Sequence, residues 1–165
     1  NGSSRGIIHD LTEECGGNVS DKGIVNVTSS SCYNYQYAKF AVDLDDVQSY
    51  FESNYGSDQW LKYDFKDRKV SPFCYLIRSS PYNKGRKHLM NWVIEGSNSD
   101  DSSSWTVLDS RNNITSQDDK SAVQVFSIQK TGGFYRYLRI RQTGNNSSNF
   151  SDLRLSALEY FGSIQ

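Results

Sequence analysis

Residues 135–141, Tyr-Arg-Tyr-Leu-Arg-Ile-Arg, indicate the fold class, because side chains of different polarity alternate along this stretch. In an extended chain the odd-numbered side chains share one face, on which lie Tyr135, Tyr137, Arg139 and Arg141. Leu138 and Ile140 lie on the other face, so the period of two predicts a half-buried β-strand. The polar face has two interpretations: a solvated surface on which arginine stems lie along tyrosine rings, or arginines that approach a binding surface.

Similar short runs recur on both sides of this stretch, separated by turn-forming residues. They are found at residues 24–28, 60–65, 73–78, 91–96, 105–109, 123–128 and 153–161. The 11 Tyr, 8 Phe and 3 Trp favour strands further, because aromatic side chains suit a pleated surface. The sequence therefore predicts an all-β sandwich or jelly roll, with no more helix than one turn within 42–51. The predicted core aromatic residues are Trp60, Trp92, Trp105, Phe65 and Phe161.

The 165 residues suit one domain, which we expect to span 1–165 with its core at about 20–162. A net charge of −1 argues against nucleic acid as a partner, since such binders carry a basic excess. No apolar run reaches the roughly 18 residues that a membrane span needs. The chain does not begin with Met, so we expect a domain that belongs to a larger multidomain protein.

The three cysteines give an odd count and lack the CxxC spacing of a zinc site. Together with the absence of a signal-peptide pattern at the start, they favour reduced thiols and a cytoplasmic location over a secreted one. A disulfide between Cys15 and Cys32 remains an alternative. Glycosylation sequons, such as those at Asn26 and Asn113, would indicate a secreted protein, but a chain rich in Asn and Ser contains such matches by chance.

No catalytic motif is found in the chain. GxSxG, HExxH and phosphate-binding glycine loops are missing, and His9 and His88 are the only histidines. Paired carboxylates for glycoside cleavage stay open, but none stands out on a predicted strand. The sequence therefore predicts a protein that is not an enzyme.

Five segments, in order, resemble the discoidin or F5/8 type C domain family of the galactose-binding-domain-like superfamily. They are WLKYDFKDRKV (60–70), YLIRS (75–79), HLMNWVIEGSN (88–98, followed by Trp105), YRYLRIRQTG (135–144) and LSALEYFG (155–162). Secreted members usually join their two ends by a disulfide, but no cysteine follows Cys74 here. The resemblance is therefore nearest to the intracellular branch, whose members stand beside BTB, leucine-rich-repeat or ubiquitin-ligase modules.

This resemblance implies an eight-stranded antiparallel jelly-roll sandwich that binds its ligand with loops at one end, here 31–40, 54–58, 80–88 and 143–150. Aromatic rings beside Arg, Asn and His suit a glycan, because rings stack on sugar C–H faces while polar groups bind hydroxyls. The expected ligand-binding residues are Tyr33, Tyr35, Tyr55, Arg78, Tyr82, Arg86, His88, Arg141 and Asn145. The alternative is an intracellular protein–protein interaction module that recruits a protein or peptide. Anionic lipid is disfavoured, since only Phe40 and Phe150 could insert from these loops.

No cofactor is expected to be required, but the resemblance raises the prospect of a structural calcium ion. Residues 43–53 resemble a calcium-binding turn of bacterial sugar-binding relatives. The matching ligands here are Asp43, Asp45, Ser49 and Glu159. Leu44 replaces a glycine of that turn, and the alternative is a solvated acidic turn whose Asp side chains cap backbone amides.

Overall fold

Ten strands, one α-helix and one 3-10 helix make up the part of the chain that this computed structural model describes, residues 6–165. The helices are α1 (Ile7–Cys15) and the 3-10 helix Ala38–Val42. The strands are β1 (Asn26–Ser29), β2 (Phe51–Glu52), β3 (Trp60–Asp64), β4 (Val70–Arg78), β5 (Trp92–Ser97), β6 (Thr106–Arg111), β7 (Val123–Ser127), β8 (Tyr137–Gln142), β9 (Arg154–Leu155) and β10 (Ala157–Ile164).

Eight of these strands form two antiparallel sheets, ordered β1-β3-β8-β5-β6 and β10-β4-β7, while β2 and β9 pair in a short ladder of their own. The sheets pack face to face through aromatic side chains. The rings of Tyr63 and Tyr160 lie 5.6 Å apart, and those of Trp92 and Phe126 lie 5.1 Å apart. This arrangement confirms the predicted all-β antiparallel sandwich.

Strand β8 shows the predicted alternation. Leu138 and Ile140 are fully buried between the sheets, whereas Arg139 and Arg141 lie on the outer face. Both arginines donate from Nε to Oε1 of Glu95 at 2.9 Å. The outer face of the five-stranded sheet is therefore a network of ion pairs, with the Arg139 guanidinium 4.0 Å from the centroid of the Trp105 ring.

The predicted core aromatic residues are correct only in part. Trp92 and Phe65 are buried, but Trp60, Trp105 and Phe161 are half-buried. Trp60 and Trp105 lie under the cations of Lys62 and Arg139 instead of between the sheets.

Tyrosines fill much of the core in their place, namely Tyr63, Tyr75 and Tyr160. The hydroxyl of Tyr63 donates to the carbonyl of Leu158 at 2.7 Å, and that of Tyr75 donates to Asp109. Such partners allow a phenol to be buried at little cost.

Helix α1 was not expected from the sequence. It buries Ile7, Ile8 and Leu11, packs on β10 and ends at Gly16, whose φ of 75° is left-handed. Its first turn carries no side-chain cap of its own. A carboxylate from the far end of the chain accepts hydrogen bonds there: Glu159 lies 2.8 Å from the amide nitrogens of both Ile8 and His9.

The helical turn predicted within 42–51 lies elsewhere, because the 3-10 helix ends at Val42. Asp46 explains the difference. Its carboxylate accepts hydrogen bonds from the amides of Gln48 and Ser49, at 3.0 and 3.1 Å, and this local turn competes with helix formation.

The antiparallel pairing brings four connections, 30–59, 79–91, 112–122 and 143–153, to one end of the sandwich, called here the loop end. All four loops expected to bind ligand belong to it. Cys15, Cys32 and Cys74 are free thiols, so the alternative disulfide is not formed. Within residues 6–165 no helix has the length and apolar character that crossing a membrane requires.

Candidate functional site

A groove of about 340 Å³ opens at the loop end, and we call it the loop-end groove. It is lined by Tyr33, Glu52, Ser53, Asn54, Tyr55, Lys87 and Asp152. These residues come from three separate connections, 30–59, 79–91 and 143–153. The pairing of β2 with β9 holds two of the connections together, since Glu52 lies opposite Arg154 in that ladder.

An aromatic platform, formed by Tyr55 and Phe150, stands at the edge of the groove. The ring centroids lie 5.5 Å apart with 36° between the ring planes. The two residues remain 61% and 47% exposed, although large apolar rings are usually covered. The platform therefore offers two accessible ring faces, inclined to each other, on which another ring or a sugar face can stack.

The floor of the groove contains two carboxyl groups that water barely reaches, with Glu52 2% and Asp152 1% exposed. Lys87 Nζ lies 3.3 Å from Oδ2 of Asp152 and 3.6 Å from Oε2 of Glu52, and Arg154 Nη2 donates to Oε1 of Glu52 at 3.1 Å. Burial and a hydrogen bond with Asp152 raise the pKa of Glu52 to about 7. Although burial opposes it, the hydrogen bond with Glu52 and the Lys87 ammonium lower the pKa of Asp152. The two carboxyls therefore titrate as a coupled pair, and Asp152 ionises at a lower pH than Glu52.

Lys87 joins the floor to the platform. Its Nζ donates to the Tyr55 hydroxyl at 3.1 Å and lies 5.0 and 5.4 Å from the ring centroids of Tyr55 and Phe150. Burial lowers the pKa of Lys87, but the Tyr55 hydroxyl and the two carboxyls outweigh it and raise the pKa overall. A charged Lys87 therefore fixes the position of the aromatic rings over the floor.

Several of the residues expected to bind ligand are brought together here. Tyr33 and Tyr55 line the groove. Tyr82 and Arg86 lie beside it, because both contact Arg154, which pairs with Glu52 in the floor. The Arg154 guanidinium is 4.6 Å from the Tyr82 ring centroid and donates to the carbonyl of Arg86 at 3.3 Å. The Arg86 guanidinium lies 5.8 Å from the same ring and is exposed.

Arg78 and His88 do not reach the groove, so the expected direct contact with ligand does not fit their placement. Arg78 lies in β4 and donates to the carbonyls of Leu44 and Asp46, at 2.8 and 3.1 Å. His88 is 1% exposed, and its Nε2 lies 2.9 Å from the carbonyl of Tyr82. Both side chains support loops instead.

Tyr35, Arg141 and Asn145 lie outside the groove as well. Tyr35 is 75% exposed and its ring lies 6.2 Å from that of Tyr37. Arg141 donates to Oδ1 of Asp58 at 2.7 Å. Asp58 and Asn145 line a second, smaller cavity of about 250 Å³ at the same end.

The four residues matched to a calcium site do not converge on one point. The Glu159 oxygens accept hydrogen bonds from the amides of Ile8, His9 and its own neighbour Tyr160. Ser49 donates its hydroxyl to Asp46 at 2.6 Å. Among residues 6–165, the converging group of three possible metal ligands is His9, Asp10 and Glu13, which includes none of the four. The residues present therefore do not fit the calcium site that the resemblance implied.

Sequence reasoning missed most of the floor. Glu52 and Arg154 contact each other across 102 residues, and no local pattern predicts such a pair. Lys87 and Phe150 were placed in the correct loops but were not assigned to the ligand site. The aromatic and cationic composition of those loops was the signal that could have found them.

Comparisons with known proteins agree with this architecture. A sequence model described as F5/8 type C domain matches residues 26–154. No curated protein matches the chain significantly in sequence.

Three solved structures illustrate the likeness in fold. A CBM32 module from Clostridium perfringens, in complex with GalNAc-β-1,3-galactose, is 11% identical, with a TM-score of 0.64 over 85% of this chain and 96% of that one. The CBM32 of AlyQ, in complex with 4,5-unsaturated mannuronic acid, is 24% identical, with a TM-score of 0.63 over 85% and 96%. A fucolectin from striped bass (Morone saxatilis) serum is 19% identical, with a TM-score of 0.67 over 85% and 46%. At these identities the likeness shows the fold.

Proposed function

This chain belongs to the F5/8 type C domain family, and we propose that it is a non-catalytic module that binds carbohydrate in the loop-end groove. The observation that carries the proposal is the exposed platform of Tyr55 and Phe150 beside a buried polar floor. Sugar sites need both features, since a pyranose has an apolar C–H face and a rim of hydroxyls.

The floor and walls offer partners for those hydroxyls. The Lys87 ammonium, on a side chain that is 21% exposed, can donate a hydrogen bond to a hydroxyl, while Glu52 and Asp152 hold this ammonium in place from below. The Asn54 side chain is exposed and has no hydrogen bond of its own among the described residues. A ring stacked on the platform would place its edge hydroxyls within reach of these groups.

The solved structures of similar fold support a sugar ligand. Two of those compared above are CBM32 modules in complex with a sugar, and the third is a lectin. Their ligands differ, so they support the class of ligand and not its identity.

The geometry of the floor favours binding over cleavage. Glycosidases hold two carboxyls roughly 5 to 10 Å apart, with the scissile bond between them. Glu52 and Asp152 instead both pair with the ammonium of Lys87, and Glu52 also pairs with Arg154. No substrate bond fits between them in this arrangement.

A glycan array on the purified domain, followed by calorimetry on the hits, tests the proposal. We expect Tyr55→Ala and Phe150→Ala each to weaken sugar binding by about two- to ten-fold, the usual size of an aromatic stacking contribution. Tyr35→Ala is the matched control, because this tyrosine is more exposed and does not line the groove. Absence of binding to any sugar at millimolar concentration, or equal losses in all three variants, would contradict the proposal. A protein partner captured without any sugar binding would point to the interaction module instead.

A further inference from the structure

The segment that borders the groove, residues 82–87, reads Tyr-Asn-Lys-Gly-Arg-Lys and contains three cations and no acid. Lys87 lines the groove, and the carbonyl of Arg86 is bonded to Arg154, whose other nitrogen contacts the floor at Glu52. The Lys84 and Arg86 side chains are exposed. This cationic segment therefore stands at the mouth of the groove.

The floor beneath it is nearly neutral. Its two cations, Lys87 and Arg154, are paired with its two carboxyls, Glu52 and Asp152. The floor therefore does not cancel the charge of the exposed side chains above it.

Acidic groups close to the cationic segment are few. Among residues 6–165, neither Lys84 nor Arg86 has a carboxylate within ion-pair distance, whereas Arg111, Arg139 and Arg141 of the five-stranded sheet do. Asp118 contacts the segment, where its carboxylate accepts a hydrogen bond from the amide of Gly85 at 2.7 Å, and it offsets one of the two exposed positive charges. The mouth of the groove keeps an excess of positive charge.

The guanidinium of Arg86 can direct its N–H groups toward a ligand. Its guanidinium lies over the Tyr82 ring, with the centroid 5.8 Å from Cζ. A guanidinium held near an aromatic face can still direct its N–H groups at an incoming carboxylate, and two parallel hydrogen bonds suit that shape.

We propose that the loop-end groove selects acidic carbohydrates, in which the carboxylate of a uronate residue pairs with Arg86 while the sugar ring stacks on the platform. The inference rests on the proposed carbohydrate binding and adds the chemical class of the ligand. A neutral sugar would use the same platform and floor, and a basic amino sugar would be disfavoured by the cationic segment.

Calorimetry with matched pairs of sugars tests the proposal: galactose against galacturonate, glucose against glucuronate, and mannose against mannuronate. Each pair is measured at 20 mM and at 500 mM NaCl, where the Debye length is about 20 Å and about 4 Å, so that only the second condition screens the ion pair. We expect the best-bound acid to exceed its neutral partner by about two- to five-fold at low salt, the range of an exposed ion pair, and to lose this preference at high salt. Arg86→Gln should abolish the preference. Lys130→Gln, an exposed cation beyond the end of β7, should keep it.

The outcomes separate the two proposals. Equal or stronger binding of the neutral sugars would overturn the acidic class but leave carbohydrate binding standing. An acidic preference that survives Arg86→Gln would overturn the role of Arg86. Failure of every sugar to bind, in the array as well as in these pairs, would overturn both proposals.

Discussion

Replacing Glu159 with glutamine exchanges the ionisable carboxyl buried beneath α1 for a neutral amide of nearly the same shape. In the native chain Glu159 is 3% exposed, and burial raises its pKa to about 7 from an ordinary 4.5. The amides of Ile8, His9 and Tyr160 pull the pKa down but do not outweigh burial. The folded chain therefore binds the Glu159 proton more tightly than the unfolded chain does.

The sign and size of the effect follow from proton linkage. Between pH 4.5 and 7 the folded chain keeps a proton that the unfolded chain releases, so the free energy of unfolding falls as pH rises. The rise of the pKa from 4.5 to about 7 corresponds to about 3 kcal/mol, present in full below pH 4.5 and lost above pH 7. Glu159→Gln lacks this contribution at every pH. Glu52 titrates in the same range but is present in both proteins, so its effect cancels in the difference.

Urea unfolding of both proteins from pH 4.5 to 8.5 measures the difference directly. We expect the native chain to lose about 3 kcal/mol relative to Glu159→Gln across this range. Hydrogen exchange at the amides of Ile8 and His9 would show whether α1 opens alone or with the whole sandwich. Parallel stability curves would refute the argument from burial. Curves that diverge in the opposite direction would show that the three amides, and not burial, control the carboxylate.

Two further substitutions test the packing and the floor. Gly162→Ala should lower the free energy of unfolding in urea by more than about 2 kcal/mol, because its methyl group would overlap the backbone carbonyl of Ser71. Gly17→Ala is the control, since its methyl group meets only a flexible lysine side chain. Equal losses in the two variants would contradict this reason. Lys87→Met should lower the free energy of unfolding in urea by about 1–3 kcal/mol, because it removes the ammonium from two buried carboxyls. Lys84→Met is the control and should leave the stability unchanged. A Lys87 variant as stable as the native chain would show that the pairing contributes nothing.

The period of two in β8 was sufficient to predict which side chains of that strand face the core, because one of its faces is apolar throughout. Strand β3 carries the same signal, because Lys62 and Asp64 share the face of Trp60 and mark it as polar, whereas Leu61 shares the face of Tyr63. The expectation that Trp60 lies in the core came from its aromatic character and not from this alternation. The structure buries Tyr63, whose hydroxyl donates to the carbonyl of Leu158 in the opposite sheet.

The position of the loop end can be predicted from the strand topology, but the residue pairs that form the floor of its groove cannot. Antiparallel strands bring alternate connections to one end, so the four predicted loops had to meet. The floor depends on pairs such as Glu52 with Arg154, which the short ladder of β2 and β9 brings into register. Helix α1 was missed for a similar reason, since its first turn is capped by Glu159 from 150 residues away.

Lys87, which belongs to the connection 79–91, contacts groups from the two other connections of the groove at once: Tyr55 from one, and Phe150 and Asp152 from the other. A groove braced in this way is formed before its ligand arrives, so binding orders few additional residues. Association should then proceed at a rate set by encounter, in a single kinetic phase. Differences in affinity between sugars should appear as differences in how long each complex lasts.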